Sequence, residues 1–281
     1  VPEVVDNLSK ILQERDWPQV NVSGLTLLRS PLLKDFSRLS HAFTTRLGGK
    51  SPSPFDSFNL GIHQAAQFHK ADALSNRQML CQSLSMQYDA LVVPQQVHSK
   101  NVAYVDQPQP LKDIDGVATD KVNLPLLLHF ADCVPIILYS PQQNVLAAVH
   151  AGWRGTASRI AVEAVNMLQT RFNCQPSELV AAIGPAIGPC CYPTGADTAE
   201  HLRNSVAEEQ RLEETHSYLF WVKNGIVHPN LKAINGYQLW RQGIRSIDIS
   251  NACTACLSQY FYSHRRTNGQ TGRQGFIAAL V

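Results

Sequence analysis

The chain has 281 residues, 44% of them hydrophobic and 16% charged, a length that can bury a full core in one domain. Lys and Arg outnumber Asp and Glu by only 24 to 22, and the basic residues are scattered apart from Arg265–Arg266, so neither nucleic acid nor a membrane surface is the expected partner. No apolar run approaches the roughly 20 residues of a membrane helix, and an odd set of seven cysteines with Cys190 and Cys191 adjacent argues for a reducing, cytoplasmic setting rather than a secreted disulfide framework.

The first element expected is a helix over about residues 1–17, where Val4, Val5, Leu8, Ile11 and Leu12 follow a helical period. A loop-rich stretch follows, with Gly48–Gly49 and prolines 52 and 54 as its turn residues. "ADALSNRQMLCQSLSM" reads as a helix. The middle reads as strands at Ala90–Val93, Val102–Val105, Leu124–Phe130, Val134–Tyr139 and Val145–Val149. Two of these, "LPLLLHF" and "VPIILY", are apolar on both faces, as in a sheet covered on both sides. "TASRIAVEAVNMLQTRF" predicts a helix of about four turns with Ile160, Ala164 and Leu168 on one face. A strand at "ELVAAIGP", helices at "GADTAEHLRNSVAEEQRL" and "NLKAINGYQLWRQGI", and closing strands at "SIDI" and "GFIAALV" complete the pattern. The expected fold is α/β: a single domain over 1–281 with a layered mixed sheet, helices packed outside, and the first helix as an extension.

Three side chains stand at predicted strand ends. His98 lies in a loop between strands, Cys133 at a break between strands, and His150 where a strand gives way to a Gly turn and a helix. Two imidazoles and a thiolate suit Zn²⁺, and three protein ligands leave the fourth position open, the mark of a catalytic site in which bound water ionises near pH 7, at about that value. The plainer reading makes Cys133 a small core residue and the histidines ordinary loop residues. Beside His150, "HAGWRGTASRI" places Gly152 and Gly155 around Arg154 at the start of a helix, a composition suited to a phosphate or carboxylate. Arg46 in "FTTRLGG" is a candidate anion or sugar contact, and Asn59 in "SFNLG" a candidate amide contact to a base or sugar; stabilisation of a turn explains either equally well. Asp113 and Asp115 either orient a ligand histidine or cap a turn. "CTAC", Cys253 to Cys256, has no second C-x-x-C to pair with and does not follow a thioredoxin-like first strand, which disfavours a redox or zinc-knuckle reading, and Cys190–Cys191 read as packing residues at a tight turn. His63 and His69 read as surface residues and His129 as part of a strand.

Taken in order, "HAFTTRLGG", "SFNLG", "QQVHS", "DGVATD", "ADCVPIIL", "VHAGWRGT", "IGPAIGPCCY" and "FYSHRR…TGR" resemble the YfiH-type laccase-domain family, over about Ser40 to the C-terminus. That family has been called multicopper polyphenol oxidase, peptidoglycan editing factor and purine nucleoside phosphorylase. The resemblance implies a single α/β domain and a metal held by the residues here numbered His98, Cys133 and His150. It also implies phosphorolysis of purine nucleosides and adenosine deamination. Two departures stand out: "IHQAAQFHKAD" replaces an acidic turn after "NLG", and Pro193 follows Tyr192 where the family has Glu.

The expected function is therefore that of a zinc enzyme acting on small-molecule nucleosides and phosphate. Water activated at the metal would attack C6 of adenine, or phosphate held by Arg154 or Arg46 would attack C1′ of the ribose. The competing readings are a copper-dependent polyphenol oxidase, since the same donor set also takes copper; a hydrolase of cell-wall precursors with Cys133 as nucleophile and His150 as base; and a metal-stabilised binding protein.

Overall fold

Strands with apolar residues on both faces need cover on both sides, and the architecture supplies it with two facing sheets and a helical layer outside each. The computed structural model describes residues 10–62, 70–206 and 217–281. Its strands are β1 (Glu14–Arg15), β2 (Gln19–Val22), β3 (Leu25–Leu28), β4 (Leu39–Thr44), β5 (Val102–Tyr104), β6 (Gly116–Thr119), β7 (Leu126–Phe130), β8 (Val134–Ser140), β9 (Val145–Ala151), β10 (Val180–Ile183), β11 (Phe220–Lys223), β12 (Ile226–Pro229), β13 (Ser246–Ser250) and β14 (Gln274–Leu280). Its helices are α1 (Lys70–Ser83), α2 (Trp153–Ala157), α3 (Ile160–Phe172), α4 (Ala196–Asn204) and α5 (Leu231–Arg241). Seven strands form one sheet in the order β1-β13-β10-β8-β9-β6-β5, and five form the other in the order β2-β3-β4-β14-β7. Both parallel and antiparallel pairs occur in the larger sheet, so it is the mixed sheet expected.

The alternation of side chains across β8 and β9 explains the layers. Ile137, Tyr139, Leu146 and Ala148 face the smaller sheet and pack with Phe43, Leu128, Phe130 and Phe276. Ile136, Leu138, Ala147 and Val149 face the other way, against Ile160, Ala164 and Leu168 of α3 and Ile234 of α5. The outer face of the smaller sheet, through Leu27, Ala42, Leu127 and Ile277, is covered by Leu80 and Cys81 of α1. Each fully buried Leu or Ile in these layers stabilises the fold by about 1.5–3 kcal/mol.

Several sequence expectations need correction. Residues 1–9 of the first predicted helix lie outside the described residues; Lys10 and Ile11 are helical, but Glu14–Arg15 is already a strand, paired in parallel with β13. The stretch read as loop-rich contains β4, an inner strand between β3 and β14; with both faces buried it shows no polar alternation. Ala90–Val93 forms only a bridge from Val92 to Leu126, cut short by Pro94. The helix predicted through Thr156–Phe172 is broken: Arg159, with φ of +60°, separates α2 from α3. The β11–β12 hairpin turns at Asn224–Gly225, both at positive φ, an Asn-Gly signal the sequence carries openly.

Candidate active site

The registers of three strands build the site. β8 and β9 run antiparallel with Pro135 opposite His150, so Cys133, just before β8, and His150, near the end of β9, meet at one edge of the sheet. β6 flanks β9 with Gly116 opposite Val149, which brings Asp115 alongside; the His150 N–H donates to the Asp115 carbonyl at 2.7 Å. Residues 131–133 carry the chain from the smaller sheet to the larger, turning at Asp132 with φ of +85°. The Asp132 carboxylate accepts from the Thr254 hydroxyl and the Arg265 N–H, each at 2.7 Å, which fixes this crossing.

His98 arrives on the loop before β5 with φ of +65°. A left-handed conformation costs a non-glycine residue about 1–2 kcal/mol. Asp115, fully buried, offsets it. The carboxylate accepts the N–H groups of Val97 (3.1 Å), His98 (3.0 Å) and Ser99 (2.7 Å), and the Ser99 hydroxyl at 2.8 Å. It also meets His150 Nδ1 at 2.8 Å. Burial pushes the Asp115 carboxyl up, but the bonds from His150 and Ser99 outweigh this and hold it down at about 2. As a carboxylate it can only accept, so His150 Nδ1 carries the proton and Nε2 is turned toward Cys133. Asp115 thus does both things considered for it: it caps a loop and it orients a histidine. Asp113 stays exposed, its carbonyl accepting from Ser99 and Asn101.

His98, Cys133 and His150 converge as the sequence reading expected: their ligand atoms all lie within 4.8 Å of one another. His98 Nε2 is 3.7 Å from Cys133 Sγ, and the two imidazole centroids are 4.9 Å apart. Burial raises the Cys133 thiol, yet the His150 and His98 imidazoles beside it hold it well below the ordinary thiol range. Burial likewise opposes the charge on His150, and the Cys133 and Asp115 anions overcome it and push its pKa up.

These residues fit a metal. Tetrahedral zinc with bonds of about 2.0–2.1 Å to nitrogen and 2.3 Å to sulfur needs a nitrogen–sulfur separation of about 3.6 Å, against the 3.7 Å seen. Gly152 leaves the space: a Cβ there would stand 2.7 Å from His98 Cδ2 and 3.2 Å from Cys133 Sγ.

The three side chains line a cavity of about 490 Å³, within the range of small-molecule sites of roughly 300–1,000 Å³. Its walls include Arg154, Arg265 and Arg273, and the rings of Phe55, Trp153 and Tyr192. Arg154 is exposed and stacks its guanidinium 4.4 Å above the Trp153 ring. Asn59 also lines the cavity, but its amide is engaged with Gly61 and with the Arg273 N–H. Arg46 lies outside the lining; its guanidinium holds Asp56 and the Ser258 carbonyl and sits 4.8 Å over the Tyr262 ring. α2 is a helix of five residues and adds little dipole, so the positive charge of this wall is that of its arginines.

Sequence reasoning did not single out Arg265, Arg273, His264, Tyr192 or Asp132, which come to the cavity from distant parts of the chain. Pro193 keeps a local turn, its carbonyl accepting from Arg265 at 3.0 Å. His63, His69 and most of the segment that replaces the acidic turn lie outside the described residues. Cys190 and Cys191, read as packing residues, gather with Cys253 and Cys256 in a second cluster.

The chain is 36% identical over 242 residues to the purine nucleoside phosphorylase YlmD of Geobacillus stearothermophilus, covering 82% of this chain and 86% of that protein. The Bacillus subtilis protein of the same name is 30% identical over 275 residues, covering 93% and 91%. Among solved structures, Bacillus licheniformis YfiH superposes with a TM-score of 0.85 at 33% identity, covering 94% of this chain and 99% of that one. With residues 40–280 also matching the family described as multi-copper polyphenol oxidoreductase laccase, the chain belongs to that YfiH/YlmD laccase-domain family.

Proposed function

We propose that this chain is a zinc-dependent purine nucleoside phosphorylase that also deaminates adenosine. The observation that carries the reading is the open three-ligand set of His98, Cys133 and His150 in a cavity walled by arginines and aromatic rings. The names borne by the relatives of G. stearothermophilus and B. subtilis support the nucleoside substrate. Zinc held there supplies Lewis acidity and an acidified water. The protein's own groups do the rest. Arg154, with Arg265 and Arg273, neutralises and orients phosphate beneath the ribose. Phe55, Trp153 and Tyr192 supply aromatic wall for a purine, with Arg154 lying over the Trp153 ring and Arg265 over the Tyr192 ring. Asp115 holds the His150 Nδ1–H, so that the nitrogen freed when the ring gives up a proton to bind metal is Nε2, on the side of the metal position. Asn59 shapes the wall through Gly61 and Arg273, and Arg46 supports the same wall from behind through Asp56. All seven cysteines are free, which suits a reducing, cytoplasmic setting.

Coupled oxidation of phenols by oxygen needs several coppers with many histidines. Among the described residues, one cluster of metal-ligating side chains contains histidine, and it contains two. One observation favours a second reading: Cys133, His150 and Asp115 also form the chain of nucleophile, base and orienting acid expected of a cysteine hydrolase.

Arg154→Ala tests the proposal. Phosphate KM should rise on the order of tenfold, as expected for loss of a charge-assisted anion contact, with adenosine deamination spared because it needs no phosphate. Equal loss of both activities contradicts the anion assignment. A covalent adduct on Cys133, trapped by mass spectrometry during turnover, would favour the hydrolase.

A further inference from the structure

The second cysteine cluster lies away from the cavity's metal ligands. Cys190 and Cys191 sit in a single turn of 3₁₀ helix after β10, and Cys253 and Cys256 in the turn after β13. β10 and β13 are parallel neighbours, so both loops leave the same end of the sheet. They stay together: Ala186 bridges Cys253, and the Thr254 N–H donates to the Ala186 carbonyl at 3.1 Å. All four sulfurs fall within 4.8 Å of one another, with Cys256 Sγ 3.5 Å from Cys190 Sγ and 3.4 Å from Cys191 Sγ.

Those distances are too long for a disulfide, whose bond is about 2.05 Å. They are close to the sulfur–sulfur edge of about 3.8 Å required by a tetrahedral tetrathiolate zinc with bonds of about 2.3 Å. Cys256 cannot pair covalently with Cys190 and Cys191 at once, but it can share one ion with both. A second observation concerns charge. The Gly188 N–H donates to Cys253 Sγ at 3.2 Å. A backbone amide aimed at a sulfur favours its thiolate and is the outer-shell support expected of a metal-ligating cysteine. Lys232, buried and bonded to Glu14 and the Ser250 carbonyl, lines the same hollow as Cys190 and Cys253, and so places a basic side chain beside the sulfurs.

We infer that Cys190, Cys191, Cys253 and Cys256 form a structural zinc site that ties the loop after β10 to the loop after β13. Binding converts four thiols and a zinc ion into a tetrathiolate complex and releases four protons, with no change of oxidation state. The tie has a consequence for the cavity. Tyr192 directly follows Cys191 and lines the cavity, and Thr254 holds Asp132, the residue before the ligand Cys133. The zinc would hold a cavity wall in place without touching substrate.

The test uses protein purified in the absence of added metal and chelator. Wild type should carry two zinc ions per chain, as a three-ligand and a four-ligand site require. Cys256→Ser should carry one and keep it at the cavity, and Cys133→Ser should carry one in the tetrathiolate. Cobalt-loaded Cys133→Ser should show the intense visible absorption of tetrahedral cobalt thiolate. If the cavity holds no zinc, wild type and Cys133→Ser each carry one ion, in the tetrathiolate, so failure of the proposed function and failure of this site are separable. A metal-free Cys133→Ser overturns the inference. Because Cys256→Ser could unfold, thiol labelling of the wild type serves as a second measurement. The exposed Cys190 and Cys256 should be alkylated at least about tenfold faster after chelation, since bound metal masks the thiolates. Fast labelling without chelator, or recovery of these residues as a disulfide from oxygen-free preparations, also overturns it.

Discussion

Asp115 gathers the backbone of residues 97–99 and the ring of His150 on one carboxylate, so the placement of two of the proposed metal ligands depends on it. Asp115→Asn keeps the volume but replaces an oxygen acceptor with an N–H donor. Removal of such an outer-shell partner weakens metal affinity by about 10- to 100-fold. Chelator competition should read that loss while circular dichroism stays native; unchanged affinity would mean that His150 is oriented by something else. Gly152 tests the same centre through space alone. An added methyl must push His98 aside, since the clash at 2.7 Å is with a ring inside the ligand set. Gly152→Ala should therefore fold yet fail to hold the cavity zinc, and retention of that ion would show that the three side chains are not its ligands. At this scale the sequence was most legible. His98, Cys133, His150 and Asp115 could be picked out because strand ends and residue chemistry coincide. Arg265 and Arg273 could not, because only tertiary folding brings a C-terminal loop across the cavity mouth.

Among the elements, β4 shows why an inner strand was read as loop and what it adds to stability. Leu39 and Phe43 turn to the larger sheet and Ala42 to α1, so no polar face betrays the strand. On the same strand His41 is buried, and its Nε2 accepts the Ser30 N–H at 3.0 Å. Ser30 in turn hydrogen-bonds Asp248 of β13, which joins the two sheets. Burial first, and then the Arg29 charge, hold the His41 pKa down to about 4. The folded state therefore keeps the ring neutral, whereas the unfolded chain protonates it near pH 6.5, at about that value. Its contribution is complete above the unfolded pKa and is lost as pH falls through the folded one, a loss on the order of 3 kcal/mol between about pH 7 and pH 4. Urea unfolding of wild type and His41→Gln across that range should show a shallower acid-side decline for the variant. Parallel declines would remove His41 as the cause. The break at Arg159 and the Asn224–Gly225 hairpin mark the other limit of reading elements from pattern. Helical periodicity runs through the first, and the second sits among exposed residues with no core stripe to announce it.

For the whole molecule, the mixed α/β architecture followed from strands apolar on both faces, because such strands demand two covering layers. The sequence did not say that one cover would be a second sheet, since a helix and a strand present equally apolar inner faces. It also kept the four cysteines apart: two vicinal residues and a lone C-x-x-C become one cluster only when β10 and β13 pair. The layers matter for function because both sheets end at the cavity, β7 and β8 contributing the crossing at Asp132 and β9 contributing His150. No helix among the described residues is long and apolar enough to cross a membrane. In the function proposed above, this sheet edge holds zinc for nucleoside chemistry. The most direct measurement offers zinc-loaded, copper-free protein three substrates in parallel: inosine with phosphate, adenosine, and an oxidisable phenol under oxygen. Zinc has no accessible redox change, so it cannot pass electrons from phenol to oxygen, but it can activate water and polarise a bound group. Hypoxanthine with ribose 1-phosphate is expected from the first, inosine with ammonia from the second, and no oxidation of the third. Phenol oxidation by the copper-free protein, with both nucleosides inert, would contradict that function.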